Sequence, residues 1–123
     1  MTTLIRVLVI DDEPALCRLI DHILTREGYN VVSAPDGQAA KTLLEKDQDF
    51  GLVVTDLLMP KMDGLKILQY IKQNCPTVPV LISSAARDHL LVDDIREQGA
   101  AAFLPRPFTP KQLIELVRQI LNR

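Results

Sequence analysis

Three carboxylates, a hydroxyl and a guanidinium stand in this sequence where short apolar runs end. Asp11 and Asp12 follow the run at 4–10, Asp56 closes the run at 52–54, Ser84 follows 80–82, and Arg106 follows 101–104. If the first and third runs are neighbouring strands, the three carboxylates crowd together. Their repulsion must then be relieved by raised pKa values or by a cation. Hard oxygen ligands suit Mg2+, which keeps several waters and needs only one or two carboxylates plus a carbonyl. The three acids, one Mg2+ and Arg106 are together formally neutral, so an incoming phosphoryl group meets no net repulsion. Asp56 could then act as a nucleophile that forms an acyl phosphate, with the metal, the Ser84 hydroxyl and Arg106 stabilising charge on the phosphoryl oxygens. Each residue alone has a plainer reading as a turn or a cap. Their shared placement at strand ends is what points to phosphoryl transfer.

The elements that must position these groups follow from periodicity. Residues 4–10 form a β-branched run that stops at Asp11-Asp12-Glu13, with Pro14 at the first turn of a helix. Leu16, Leu19, Ile20, Ile23 and Leu24 make one apolar stripe, with Cys17 at its edge, and Gly28 supplies the stop. A short strand at 30–34 precedes a helix that Asp36 can cap and that carries Ala39, Ala40, Leu43 and Leu44. The strand at 52–54 is apolar enough to be buried on both faces. It leaves Asp56 on a loop, facing outward, with Pro60 forbidding immediate helix and residues 62–64 turning into the next one.

Leu65, Leu68 and Ile71 space a third helix that ends near Asn74, and residues 80–82 form a fourth strand. A helix with Leu91, Val92 and Ile95 stops at Gly99, and a short strand at 101–104 runs into Pro105. Pro105 cannot donate to a ladder, which assigns that strand to a sheet edge. Thr109 and Gln112 form a capping box around Pro110, opening a last helix whose apolar arc is Leu113, Ile114, Leu116, Val117, Ile120 and Leu121. Five strands alternating with five helices give an α/β fold, a parallel sheet covered on both faces with right-handed crossovers.

At 123 residues the chain is expected to form a single domain over 1–123. With 47% hydrophobic and 24% charged residues and a formal net charge of -2, nothing suggests direct binding to nucleic acid. No apolar run approaches the roughly 20 residues of a membrane span, and a cytoplasmic location is expected. Cys17 and Cys75 lack ligand spacing and are expected to be reduced thiols, and His22 and His89 lack metal-ligand spacing.

Over residues 4–122 the sequence resembles the receiver domain of the two-component response regulators, and is chemotaxis-regulator-like. The acidic pair within 9–14, the segment from Asp56 to Gly64, the stretch 79–85 ending Ser83-Ser84-Ala85 and the stretch 99–108 follow that family's pattern in order. The resemblance implies a flavodoxin-like (βα)5 fold with strand order 2-1-3-4-5. It makes Asp56 the phosphoacceptor, Asp12 a direct Mg2+ ligand, Asp11 a water-mediated one and the Leu58 backbone carbonyl a further ligand. Ser84 matches the switch hydroxyl, and Phe103 the aromatic switch that reports on the face of the fourth helix, fifth strand and fifth helix.

The implied partners are a sensor histidine kinase or phosphotransfer protein and a downstream effector, with a phosphorylation-dependent homodimer and without membrane or nucleic-acid contact. The implied unit promotes its own phosphorylation and dephosphorylation but turns over no independent substrate, and it stands alone or belongs to a longer protein. One residue departs from the pattern, Arg106, where the family has Lys before its Pro-Phe. A planar guanidinium is not geometrically equivalent to an ammonium, so phosphate contact is expected to persist while coupling to the switch weakens. Pro107 matches a proline often preceded by a cis bond in this family.

Two other functions compete. Arg106 motivates a degenerate receiver that only binds partners, against which the intact Asp11, Asp12, Asp56 and Ser84 argue. A metal-dependent phosphatase with an aspartyl nucleophile would usually carry a general-acid Asp two residues later, where this chain has Leu58.

Overall fold

The computed structural model describes residues 4–59, 62–85 and 89–122, without the side chains of 89–91. The expectations for Pro60 and for the His89 and Leu91 side chains lie outside the described residues. Among the described residues the elements alternate as β1 (Arg6–Ile10), α1 (Pro14–Arg26), β2 (Asn30–Ala34), α2 (Gly37–Lys46), β3 (Leu52–Asp56), α3 (Gly64–Asn74), β4 (Val80–Ser84), α4 (His89–Glu97), β5 (Ala102–Pro105) and α5 (Pro110–Leu121). The strands form one parallel sheet of order β2-β1-β3-β4-β5, the flavodoxin-like arrangement.

The pleat divides the apolar side chains between two cores. Val7 and Val9 of β1, Leu52 and Val54 of β3 and Leu81 of β4 pack with Cys17, Ile20 and Leu24 of α1 and with Leu113 and Val117 of α5. Their neighbours Leu8, Ile10, Val53, Val80 and Ile82 point the other way, against Ala40 and Leu44 of α2, Ile67, Leu68 and Ile71 of α3, and Ile95 of α4. Strands flanked by helices on both sides have no face left for water, which is why β3 and β4 are buried along their whole length. Truncating one such Leu to Ala would cost about 2–5 kcal/mol through lost burial and a residual cavity.

Local signals set the element ends. Pro14 opens α1, and Gly28 follows it at φ +93°, a conformation that disfavours side chains with a Cβ. Asp36 caps α2 by accepting from the Ala39 N–H at 2.8 Å. In α5 both halves of the capping box are formed, Thr109 with the Gln112 N–H and the Gln112 side chain with the Thr109 N–H.

Three expectations are corrected. Asp56 does not lie on a loop facing outward but is the last residue of β3 and is largely buried. Leu19 is 47% exposed: it flanks the buried stripe of α1 on the opposite side from Cys17, and only the Cys17 flank is covered. Leu4 is also exposed and precedes β1, which begins at Arg6.

Candidate functional site

Strand register builds the site. Ile10 of β1 pairs with Thr55 of β3, so Asp11 and Asp56 leave adjacent strands at the same level. Asp56 in turn pairs with Ser83 of β4, and Ser84 pairs with Pro105 of β5. In a parallel ladder the residue after the partner supplies this bond, so the missing N–H of Pro105 is not needed here: the Arg106 N–H donates to the Ser84 carbonyl at 3.0 Å. The Arg106–Pro107 bond, which the sequence left open, is cis.

From that anchor the Arg106 side chain runs back across the sheet edge. Nη2 donates to Asp11 Oδ2 at 2.6 Å, Nη1 lies 3.4 Å from Asp56 Oδ2, and Nε donates to Ser83 Oγ at 3.2 Å. The guanidinium is therefore spread over two carboxylates rather than clamped on one, and its Asp11 contact is the strong one. The Asp11 side chain has no exposed surface, and its other oxygen, Oδ1, accepts from the Glu13 N–H at 2.9 Å. Asp56 Oδ1 accepts from the Leu57 N–H at 2.7 Å.

These contacts settle Asp56 electrostatically. Burial pushes its carboxyl above the ordinary range, the Arg106 guanidinium pulls it back, and the Asp11 carboxylate adds to the upward push. Asp12 is exposed at the rim. Carboxylate oxygens of Asp11, Asp12 and Asp56 lie within 4.8 Å of one another, and an all-oxygen donor set of that spacing fits a hard divalent cation such as Mg2+.

Beside the cluster opens a groove of about 490 Å³, with Asp56, Ser84 and Arg106 at its polar end. Leu16, Leu19, Leu58 and Phe108 line its apolar part, and Leu58 is 66% exposed. Gly64 underlies the turn after Asp56. Its N–H donates to the Leu57 carbonyl at 2.8 Å, and a methyl added there would overlap the Asp56 carbonyl oxygen.

The structure thus brings Asp11, Asp12, Asp56, Ser84 and Arg106 to one edge of the sheet. Phe103 stands apart, half-buried on β5 opposite Ile82 and packed on the core beneath α3 and α4. Sequence reasoning missed Ser83, Glu13 and Gly64. The pleat could have found Ser83: Asp56 and Ser83 each lie two residues beyond side chains of the α1–α5 core, Val54 and Leu81, whereas Ser84 has the opposite parity. Cys17 and Cys75 are buried free thiols, both pushed up by burial, as befits inert packing residues.

A doubly wound parallel sheet with an acidic cluster at the carboxyl ends of its central strands defines a flavodoxin-like protein with its site at the usual edge. Residues 7–118 match the response regulator receiver domain family, and the chain belongs to that family. It is 37% identical over 120 residues to the probable transcriptional regulator ycf27 of Porphyridium aerugineum, covering 96% of this chain and 48% of that protein. It is 36% identical over 118 residues to the transcriptional regulatory protein CpxR of Escherichia coli (strain K12), covering 96% and 50%. The chain therefore spans about half the length of the curated relatives it matches.

Among solved structures, a response regulator receiver domain from Clostridium thermocellum superposes with a TM-score of 0.91 at 29% identity, covering 98% of this chain and 96% of that one. The CheY of a CheX–CheY–BeF3–Mg2+ complex from Borrelia burgdorferi superposes at 0.90 with 29% identity, covering 94% and 88%. Receiver domains are signalling modules rather than enzymes with their own substrates, and no described helix is long and apolar enough to cross a membrane.

Proposed function

We propose that Asp56 is the phosphoacceptor of this receiver, taking its phosphoryl group from a sensor histidine kinase or a phosphotransfer protein. The observation that carries this reading is the placement of Asp56: a carboxylate in the acidic cluster, open to a groove, with Ser84 and Arg106 beside it. A carboxylate oxygen of Asp56 attacks phosphorus, a P–O bond forms as the donor's bond to phosphorus breaks, and the electron pair of that bond leaves with the donor. The Leu57 N–H fixes the rotation of the carboxylate so that its other oxygen faces the cluster.

Asp12 and Asp56 would hold Mg2+ directly, Asp11 through water and Leu58 through its backbone carbonyl. When bound, the ion supplies positive charge against the phosphoryl oxygens. The pairing of BeF3 with Mg2+ in the Borrelia CheY complex supports this assignment. Ser84 donates its hydroxyl to the phosphoryl group, Arg106 contributes a cation, and Phe103 carries the change to the α4–β5–α5 face, where an effector or a second phosphorylated copy docks. Residues 1–123 act as one cytoplasmic unit that promotes its own phosphorylation and dephosphorylation. Leu58 puts no carboxylic acid two residues after Asp56, so the proton donor that a hydrolytic phosphatase requires is not supplied from that position.

The test is incubation with acetyl phosphate and Mg2+ followed by intact-mass measurement. One phospho-adduct is expected on the wild type and none on Asp56→Asn, while undiminished labelling of that variant removes Asp56 from the role.

A further inference from the structure

We propose that Ser83 is a positioning residue for Arg106, its hydroxyl setting the plane of the guanidinium that meets the phosphoryl group, a role that rests on the reading of Asp56 as phosphoacceptor.

Ser83 places a hydroxyl where the strand itself has no need of one. Val80, Leu81 and Ile82 before it are fully buried apolar residues, and Ser83 is 1% exposed. A hydroxyl at that depth is destabilising unless it is hydrogen-bonded. The pleat turns Ser83 to the side of Leu81, which is also the side of Val54 and of Asp56, its register partner on β3. There its Oγ accepts from Arg106 Nε at 3.2 Å.

The contacts of the two Nη groups are unequal. Nη2 meets Asp11 Oδ2 at 2.6 Å, a short charge-assisted bond, whereas Nη1 is 3.4 Å from Asp56 Oδ2, near the limit of hydrogen bonding. Held by the Asp11 bond alone, the planar group would pivot about it and carry Nη1 away from Asp56. The bond from Nε to Ser83 stops that pivot, because it fixes a second point in the guanidinium plane. Strand β4 thus holds the arginine twice, its main-chain N–H on the Ser84 carbonyl and its Nε on the Ser83 hydroxyl.

That hydroxyl matters to an arginine in particular. An ammonium carries its donors on one rotating nitrogen and has no plane to set, so a lysine at 106 would address the acidic cluster without help from residue 83. The departure at Arg106 is therefore matched by a second residue, 23 positions earlier in the chain.

The experiment follows the initial rate of adduct formation from acetyl phosphate and Mg2+, by intact mass, in wild type, Ser83→Ala, Arg106→Lys and the double variant. Ser83→Ala is expected to slow labelling about tenfold with arginine at 106, the scale of one hydrogen bond to a charged group, and by less than about twofold with lysine there. Equal slowing in both backgrounds would show the hydroxyl acting through the strand rather than the guanidinium, and overturns the proposal. So does a wild-type rate in Ser83→Ala. A second readout needs neither phosphodonor nor metal. In wild type the Arg106 Nε–Hε, identified by its absence from Arg106→Lys, should exchange with water at least about tenfold more slowly than those of the exposed Arg18, Arg26 and Arg96, and Ser83→Ala should remove that protection. Unprotected exchange in wild type overturns the positioning even if Ser83→Ala does not fold, and protection that survives Ser83→Ala overturns it as well. If wild type takes no adduct, or Asp56→Asn takes as much, the phosphoacceptor reading fails and the role of Ser83 in labelling falls with it. An adduct confined to Asp56 together with an unprotected Nε–Hε sinks the positioning alone.

Discussion

Replacing Gly64 by Ala tests whether the turn after Asp56 is as tightly determined as its contacts imply. At the first position of α3, Ala should be the better residue, favouring helix over Gly by up to about 1 kcal/mol. The surroundings reverse that sign. A methyl at Gly64 would overlap the Asp56 carbonyl oxygen and stand 2.9 Å from Leu57 Cα, against 3.4 Å for ordinary contact, so backbone must retreat by at least about half an ångström. None of these atoms belongs to a flexible side chain. Asp56 is held in the ladder opposite Ser83, and the Leu57 carbonyl is tied to the Gly64 N–H.

Overpacking of this kind costs about 1–3 kcal/mol. For a chain of this length that corresponds to a fall in Tm of roughly 3–10 °C. Because the atoms that move carry Asp56, labelling by acetyl phosphate should slow by about tenfold or more, in line with the rate cost of misplacing a reacting group by a fraction of an ångström. Gly28→Ala is the control. Its φ of +93° makes Ala strained by about 1–2 kcal/mol, but a methyl there meets nothing within 4 Å and has no path to the site. Urea unfolding and the initial rate of adduct formation give both quantities. Wild-type stability and rate in Gly64→Ala would refute the packing argument, and equal slowing in both glycine variants would trace the effect to general destabilisation.

Burial holds the Asp56 carboxyl above its unfolded value, so the contribution is present at low pH and lost as pH rises through the folded pKa. Asp56→Asn should therefore gain stability relative to wild type as pH rises from about 4 to 7, read as a widening gap in urea midpoints; a constant or shrinking gap contradicts the burial effect. Mg2+ should raise the Tm of wild type more than that of Asp12→Ala, because binding relieves repulsion among carboxylates whose oxygens lie within 4.8 Å. Thr109→Ala should cost about 1 kcal/mol through loss of the capping box while leaving the labelling rate unchanged; a slowed rate would show that α5 bears on the site.

The fold was legible because its signals are local and redundant. The first four strands carry β-branched residues, the fifth is a short apolar run ended by Pro105, each helix has a stripe, and Pro14, Gly28, Asp36 and the Thr109–Gln112 box mark ends that the structure reproduces. Asp11, Asp12, Asp56, Ser84 and Arg106 were legible as polar residues at strand ends. What resisted reading was direction. Leu19 fits the stripe of α1 by spacing, yet stands on its uncovered flank. Asp56 looked like a loop residue because a carboxylate rarely closes a buried strand without partners, and those partners, Arg106 and the Leu57 N–H, depend on tertiary geometry. Arg106 was expected to await a phosphoryl group, but its reach to Asp11, 95 residues away in the chain, follows only from the strand order.

The alternation of side chains between the two cores makes this protein sensitive to counting. At Val54, Leu81 or Ile82, a substitution can exchange one apolar shape for another of similar volume and the pleat absorbs it. A deletion of one residue cannot be absorbed in the same way: it turns every following side chain of the strand to the opposite face. In β3 that would present the Asp56 carboxylate to the core of α2, α3 and α4, while its neighbours in β1 and β4 still faced α1 and α5. The chain can thus drift widely in composition along its strands while the spacing of their residues stays fixed. Loops after the helices, at the far edge of the sheet, are where length can vary without disturbing that count.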